Sequence, residues 1–131
     1  RNHSSAASDV YKRQDYDCVP ACTYSKPEIG SIGLSQKILD ERGKDYKVVK
    51  SFFNANGKAV ASDSTEGFIK ILVSDKNQIL GAHIIGSNAT EMISEFSLAM
   101  SNNLSVENIL DSIHPHPTFS EAIFETLMQL R

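Results

Sequence analysis

Two apolar runs, "FIKILV" (68–73) and "QILGAHIIG" (78–86), stand either side of the polar tetrapeptide "SDKN". Runs of β-branched and aliphatic residues closed by a short polar spacer predict a β-hairpin, the strongest constraint on what this chain can fold into. Upstream, "YKVVKSFF" (46–53) has the same composition and predicts a further strand. "DCVPACTY" (17–24) and "EIGSIGL" (28–34), separated by "SKP", predict two strands or a strand and a bend. Between these segments Ser35 is placed to cap a short helix, "QKILDER". Leu34 and Leu39 fit a hydrophobic staple there, and Gly43 stands where the helix must stop. "NANGKAVASDSTEG" (54–67) reads as loop throughout, with Asn56-Gly57 as its turn.

Beyond the hairpin the pattern changes from strand to helix. In "NATEMISEFSLAMSNN", Met92, Ile93, Phe96, Ala99 and Met100 recur at helical spacing. "SVENILDS" (105–112) predicts a second, shorter helix capped by Ser105, and "FSEAIFETLMQL" a last one. Strands followed by helices, without βαβ alternation, predict an α+β fold: an antiparallel sheet packed against gathered helices. The apolar surface of the later helices, including Met92, Phe96 and Met100, is expected to contribute to self-association.

With 131 residues the chain is long enough for one domain with a real core. A mixed charge pattern with a net charge of −3 gives no reason to expect nucleic acid or an anionic membrane as partner. No apolar run approaches the ~20 residues of a spanning helix. Cys18 and Cys22, in "CVPAC", would lie about 13 Å apart on an extended segment. That is beyond the ~7 Å limit for a disulfide. They read as small buried hydrophobes in a reducing compartment, a bacterial cytoplasm being the simplest. Residues 1–14, small, polar and aperiodic, are expected to be a non-native or disordered leader, with the domain running from 15 to 131.

The densest chemistry is "HPHPTFSE" (114–121). Thr118 followed three residues later by Glu121 matches a capping box, which would make the stretch simply a helix start. A metal site would use His114, His116 and Glu121, since two histidines two apart on an extended segment project to one side; but a catalytic zinc site needs three ligands and an open position, and prolines brace both histidines. His83, in its strand, reads as packed rather than coordinating. An acid–base site would use His116 as base, with the Glu121 carboxylate fixing its tautomer through Nδ1–H and leaving Nε2 to take a proton. The spacing allows that contact without requiring it.

"HPHPTFSEA" resembles the C-terminal signature of the dihydrolipoamide dehydrogenases, flavin-dependent pyridine nucleotide–disulfide oxidoreductases. "VPACTYSKPEIGSIGLS" resembles the segment that opens the interface domain of that family, and "ILGAHIIGSNATEMISE" its central strand, turn and helix. The three occur in the family's order, and the resemblance covers residues 15–131. It implies an FAD/NAD-linked reductase C-terminal dimerisation domain. It also implies a homodimer in which His116 deprotonates a dihydrolipoamide thiol and Glu121 orients it. Pro117 would follow a cis peptide bond that aims the imidazole, and His116 and Pro117 would border the flavin site of the partner subunit.

By the same resemblance the parent would use FAD and NAD, and would serve a lipoylated acyltransferase of a 2-oxo acid dehydrogenase complex or a glycine cleavage protein. A eukaryotic source would place it in the mitochondrial matrix. The family's redox cysteine pair and both nucleotide-binding loops are missing from this sequence, so the fragment alone is expected to bind no cofactor and to be inactive. Two alternatives remain: the interface domain of a glutathione or mercuric reductase-like enzyme, or a stand-alone oligomerisation module.

Overall fold

The structure, a computed structural model, describes residues 18–131. The boundary expected after residue 14 therefore lies outside the described residues. The elements, in order, are β1 (Ala21–Thr23), β2 (Ile29–Gly33), α1 (Gln36–Glu41), β3 (Lys47–Phe52), a 3-10 turn (Phe53–Ala55) and α2 (Gly57–Ala61). Then come β4 (Gly67–Val73), β5 (Ile79–Gly86), α3 (Ala89–Ser101), α4 (Val106–Leu110), α5 (Glu121–Leu127) and a final 3-10 turn (Met128–Leu130).

The predicted hairpin is the centre of the sheet. Strands β4 and β5 pair antiparallel from Gly67↔Gly86 to Val73↔Ile79, and the turn between them is closed by Ser74 and Gln78. Strands β2 and β3 add to its two sides, giving the order β1-β2-β5-β4-β3 with every pairing antiparallel. One face of this sheet carries α3 over β2 and β5, and α5 over β3 and β4. Alternation along the strands sends Ile69, Ile71, Val73, Ala82 and Ile84 to that covered face, all fully buried.

On α3 the stripe Ala89, Met92, Ile93, Phe96 and Ala99 faces the sheet. Met92 and Phe96 are 4% and 0% exposed, and Met100 packs partly buried against the same cluster. This corrects the expectation that Met92 and Phe96 contribute to self-association: the helical spacing found a core stripe, and the sheet covers it. Close packing here depends on Gly30 of β2, where an added Cβ would stand 2.7 Å from the Ala89 carbonyl oxygen of α3.

The other face of the sheet is mostly bare. At one end α1 covers it, with Leu34, Leu39 and Leu72 forming a small second core. Further along, Lys50 stands with its Nζ 4.1 Å from the ring centroid of Phe68 and 5.0 Å from that of Phe52. The edge strand β3 is closed from the helical side by the end of the chain. Gln129 donates to the Lys50 carbonyl (2.8 Å), and Thr126 donates to the Ser51 hydroxyl (2.7 Å).

Residues 54–67 correct a second expectation. They are not loop throughout: Asn56 is the N-cap of α2, accepting from the Ala59 N–H at 2.9 Å. An asparagine followed by glycine serves a hairpin turn or a helix start equally well, and here it starts a helix. Cys18 and Cys22 are half-buried rather than fully buried, and Cys22 packs against the main core.

Candidate active site at the HPHP segment

The segment 114–121 joins the end of α4 to the start of α5. Within it the imidazole of His116 meets the carboxylate of Glu121, Nδ1 lying 2.9 Å from Oε1 and 3.0 Å from Oε2. Beside a carboxylate, Nδ1 is the nitrogen that carries the proton, since two acceptors cannot share a bond. Nε2 then keeps its lone pair. The His116 side chain is 77% exposed, against 23% for Glu121, so the free nitrogen is presented outward by a largely covered partner. The His116-Pro117 peptide bond is cis.

Glu121 serves the helix as well. Its Oε1 accepts the Thr118 backbone N–H at 2.9 Å, which is one half of the anticipated capping box. The other half is absent, because the Thr118 hydroxyl turns away to donate to the Pro115 carbonyl. One carboxylate thus makes both the contact with His116 and half of the anticipated capping box. The Thr118 N–H holds the Glu121 carboxyl below its ordinary range; partial burial opposes this, and the hydrogen bond and charge of His116 lower it further. Glu125, one turn on, is pushed the other way by its own partial burial and by the Glu121 charge.

His114 does not join His116. Its side chain is 7% exposed and points inward, with Nε2 at 3.0 and 3.1 Å from the two carboxylate oxygens of Glu95 and Nδ1 at 3.1 Å from the Ser112 carbonyl. The two histidines therefore face different carboxylates, and no cluster of three or more His, Cys, Asp or Glu suited to a metal occurs among the described residues. Glu95 was not among the residues singled out from the sequence. Its signal was there: on α3 it falls between Met92 and Phe96, at the margin of the buried stripe, where a carboxylate needs a partner. His83 lies in β5 with Nε2 at 3.2 Å from the Leu34 carbonyl, packed as expected. Its pKa is lowered chiefly by burial, with the Lys70 charge adding and the Leu34 carbonyl opposing.

The sequence profile of the pyridine nucleotide-disulphide oxidoreductase dimerisation domain matches residues 19–127. The chain belongs to this family. The dimerisation domain is 46% identical over 112 residues to the mitochondrial dihydrolipoyl dehydrogenase of Sus scrofa, an alignment covering 85% of this chain and 22% of that protein. The Caenorhabditis elegans mitochondrial enzyme is 44% identical over 112 residues, covering 85% and 23%. The Zymomonas mobilis dihydrolipoyl dehydrogenase is 38% identical over 111 residues, covering 84% and 24%. This domain is thus lipoamide dehydrogenase-like, and it spans about a quarter of the length of the curated relatives it matches. Among solved structures, the flavoprotein disulfide reductase RclA of Escherichia coli superposes with a TM-score of 0.85 at 25% identity, over 92% of this chain and 27% of that one. LpdA of Mycobacterium tuberculosis, at 23% identity and a TM-score of 0.84 over 90% and 26%, shares the fold.

The sequence holds no G-x-G-x-x-G phosphate loop. His116 and Pro117 are both exposed, the His116 side chain at 77%.

Proposed function

We propose that this domain is the C-terminal interface domain of a dihydrolipoamide dehydrogenase, and that its His116–Glu121 pair is the acid–base device of that enzyme. Only a thiolate attacks a disulfide, so a dihydrolipoamide thiol must first lose its proton. The His116 Nε2 takes that proton, and the thiolate so formed attacks the disulfide of the parent's redox cysteines. Nδ1–H stays on Glu121, whose carboxylate holds the tautomer and stabilises the imidazolium. FAD and NAD in the parent supply the electron carriers beyond the disulfide, and His116 and Pro117 border the flavin side of the site.

The observation that carries this reading is the 2.9 Å contact of His116 with Glu121, made by an imidazole whose other nitrogen faces outward. The site is completed across a homodimer, the substrate being the lipoyl group of a 2-oxo acid dehydrogenase acyltransferase or of a glycine cleavage protein. The setting is a bacterial cytoplasm or a mitochondrial matrix, the relatives including bacterial and mitochondrial enzymes. Alone, the domain turns over no dihydrolipoamide.

The test is made in the full-length protein carrying this domain. A positioned base contributes about 10²–10⁴ in rate, so His116→Gln lowers kcat for dihydrolipoamide oxidation by that factor. Glu121→Gln, which keeps the shape and loses the charge, lowers it less. Undiminished turnover in His116→Gln would sink the proposal. Offering glutathione disulfide and mercuric ion in parallel decides between this enzyme and the other reductases of the superfamily. Failure with every substrate leaves an oligomerisation module.

A further inference from the structure

His114 and His116 are two residues apart, yet one side chain is 7% exposed and the other 77%. A buried histidine in a connecting segment needs partners, and this one faces an acceptor at each nitrogen, the Ser112 carbonyl and the Glu95 carboxylate. Its ring also lies 5.9 Å, centroid to centroid, from that of Phe124 on α5. Glu95 sits on α3, the longest helix among the described residues, whose buried stripe is fixed to the sheet. The segment is therefore bound to the rigid core immediately before His116. It is bound again immediately after: Asn56, 2% exposed, donates to the Thr118 carbonyl (3.1 Å), and Phe119 meets Phe53 edge to face at 6.3 Å. Between these anchors His116 has no packing of its own to hold it.

We propose that His114, held by Glu95, is a positioning residue that keeps the His116 imidazole on Glu121. The inference rests on the reading of His116 as the base, but its test does not use turnover. A site group is held in productive geometry by the bonds of the shell around it, and loosening such a shell degrades the site before it degrades the fold. Breaking the His114–Glu95 bond frees residues 113–116 to move while α3, α5 and the sheet stay packed, and the Nδ1–H tautomer of His116 loses the carboxylate that selects it.

The experiment reads that tautomer in this chain from the ring nitrogen-15 shifts of His116, at a pH where the ring is neutral. The unchanged chain holds the proton on Nδ1. In Glu95→Gln and, separately, in His114→Gln, the ratio moves toward Nε2–H by roughly tenfold or more, the factor that a hydrogen bond to a charged group contributes. The amide spectrum away from residues 112–121 stays as it was. An unchanged His116 signature in both variants overturns the proposal. Loss of the whole fold in both also overturns it, since the pair would then support the domain rather than the segment. Because His116 is left in place and no turnover is measured, this test can fail while His116 still proves to be the base, and the reverse holds equally.

Discussion

At the scale of single residues, burial decides what each of three histidines does. His116 stands out in solvent on a carboxylate, His114 is enclosed between two acceptors, and His83 is packed into the sheet against the Leu34 carbonyl. The lowered pKa of His83 has a stability consequence. Below its ordinary value near 6.5 the unfolded chain takes up a proton that the folded chain refuses, so stability is present above that pH and is lost as pH falls toward the folded pKa. The urea midpoint should therefore drop between pH 7 and pH 5, and His83→Asn should flatten that slope; equal slopes in both proteins would contradict it. Glu121 acts in a lower window, its contribution being present above its ordinary pKa and lost as pH falls through the lowered one. The His116–Glu121 pair was legible in the sequence because its partners lie five residues apart on a helix start. The His114–Glu95 pair spans 19 residues and two elements, and no local pattern joins them.

Among the elements, strands and long helices followed from periodicity, because each buries one face and alternation or a stripe records which. The hairpin, α3 and the Ser105 cap of α4 all lie where their patterns put them. Short elements were harder to read. Helix α2 is five residues long, and what fixes it is a tertiary bond, from Asn56 to the Thr118 carbonyl 62 positions away. Asn56→Ala removes an N-cap worth about 0.5–2 kcal/mol. It also leaves the Thr118 carbonyl without its donor, a further loss of about 1 kcal/mol. The sum should appear in urea unfolding as about 2 kcal/mol, accompanied by spectral changes in the 114–121 segment. A change confined to α2 would show that the long-range bond contributes little.

Across the whole molecule, the helical layer has its apolar stripe turned inward, while two large aliphatic side chains stay outside it. Leu98 on α3 is 64% exposed and Ile113 is 98% exposed. Leu98 and Ser112, the neighbour of Ile113, line one shallow cavity between α3 and α4. Burying a large aliphatic side chain yields about 1.5–3 kcal/mol, so placing Glu at both positions should weaken self-association by tenfold or more in sedimentation velocity. Melting of the fold should hardly change. Identical sedimentation of variant and parent would move the interface elsewhere. The helical spacing found the buried side of α3, and because an inward stripe and an outward one share the same period, spacing alone did not say which it was. A last consequence follows from the way the chain's end is fastened along β3, where Gln129 and Thr126 occupy polar groups of Lys50 and Ser51. An open outer strand is a template on which identical molecules stack into fibres. Here Lys47 and Lys50 place positive charge along that strand and the Lys50 carbonyl is already bonded to Gln129, which disfavours a second copy pairing along β3.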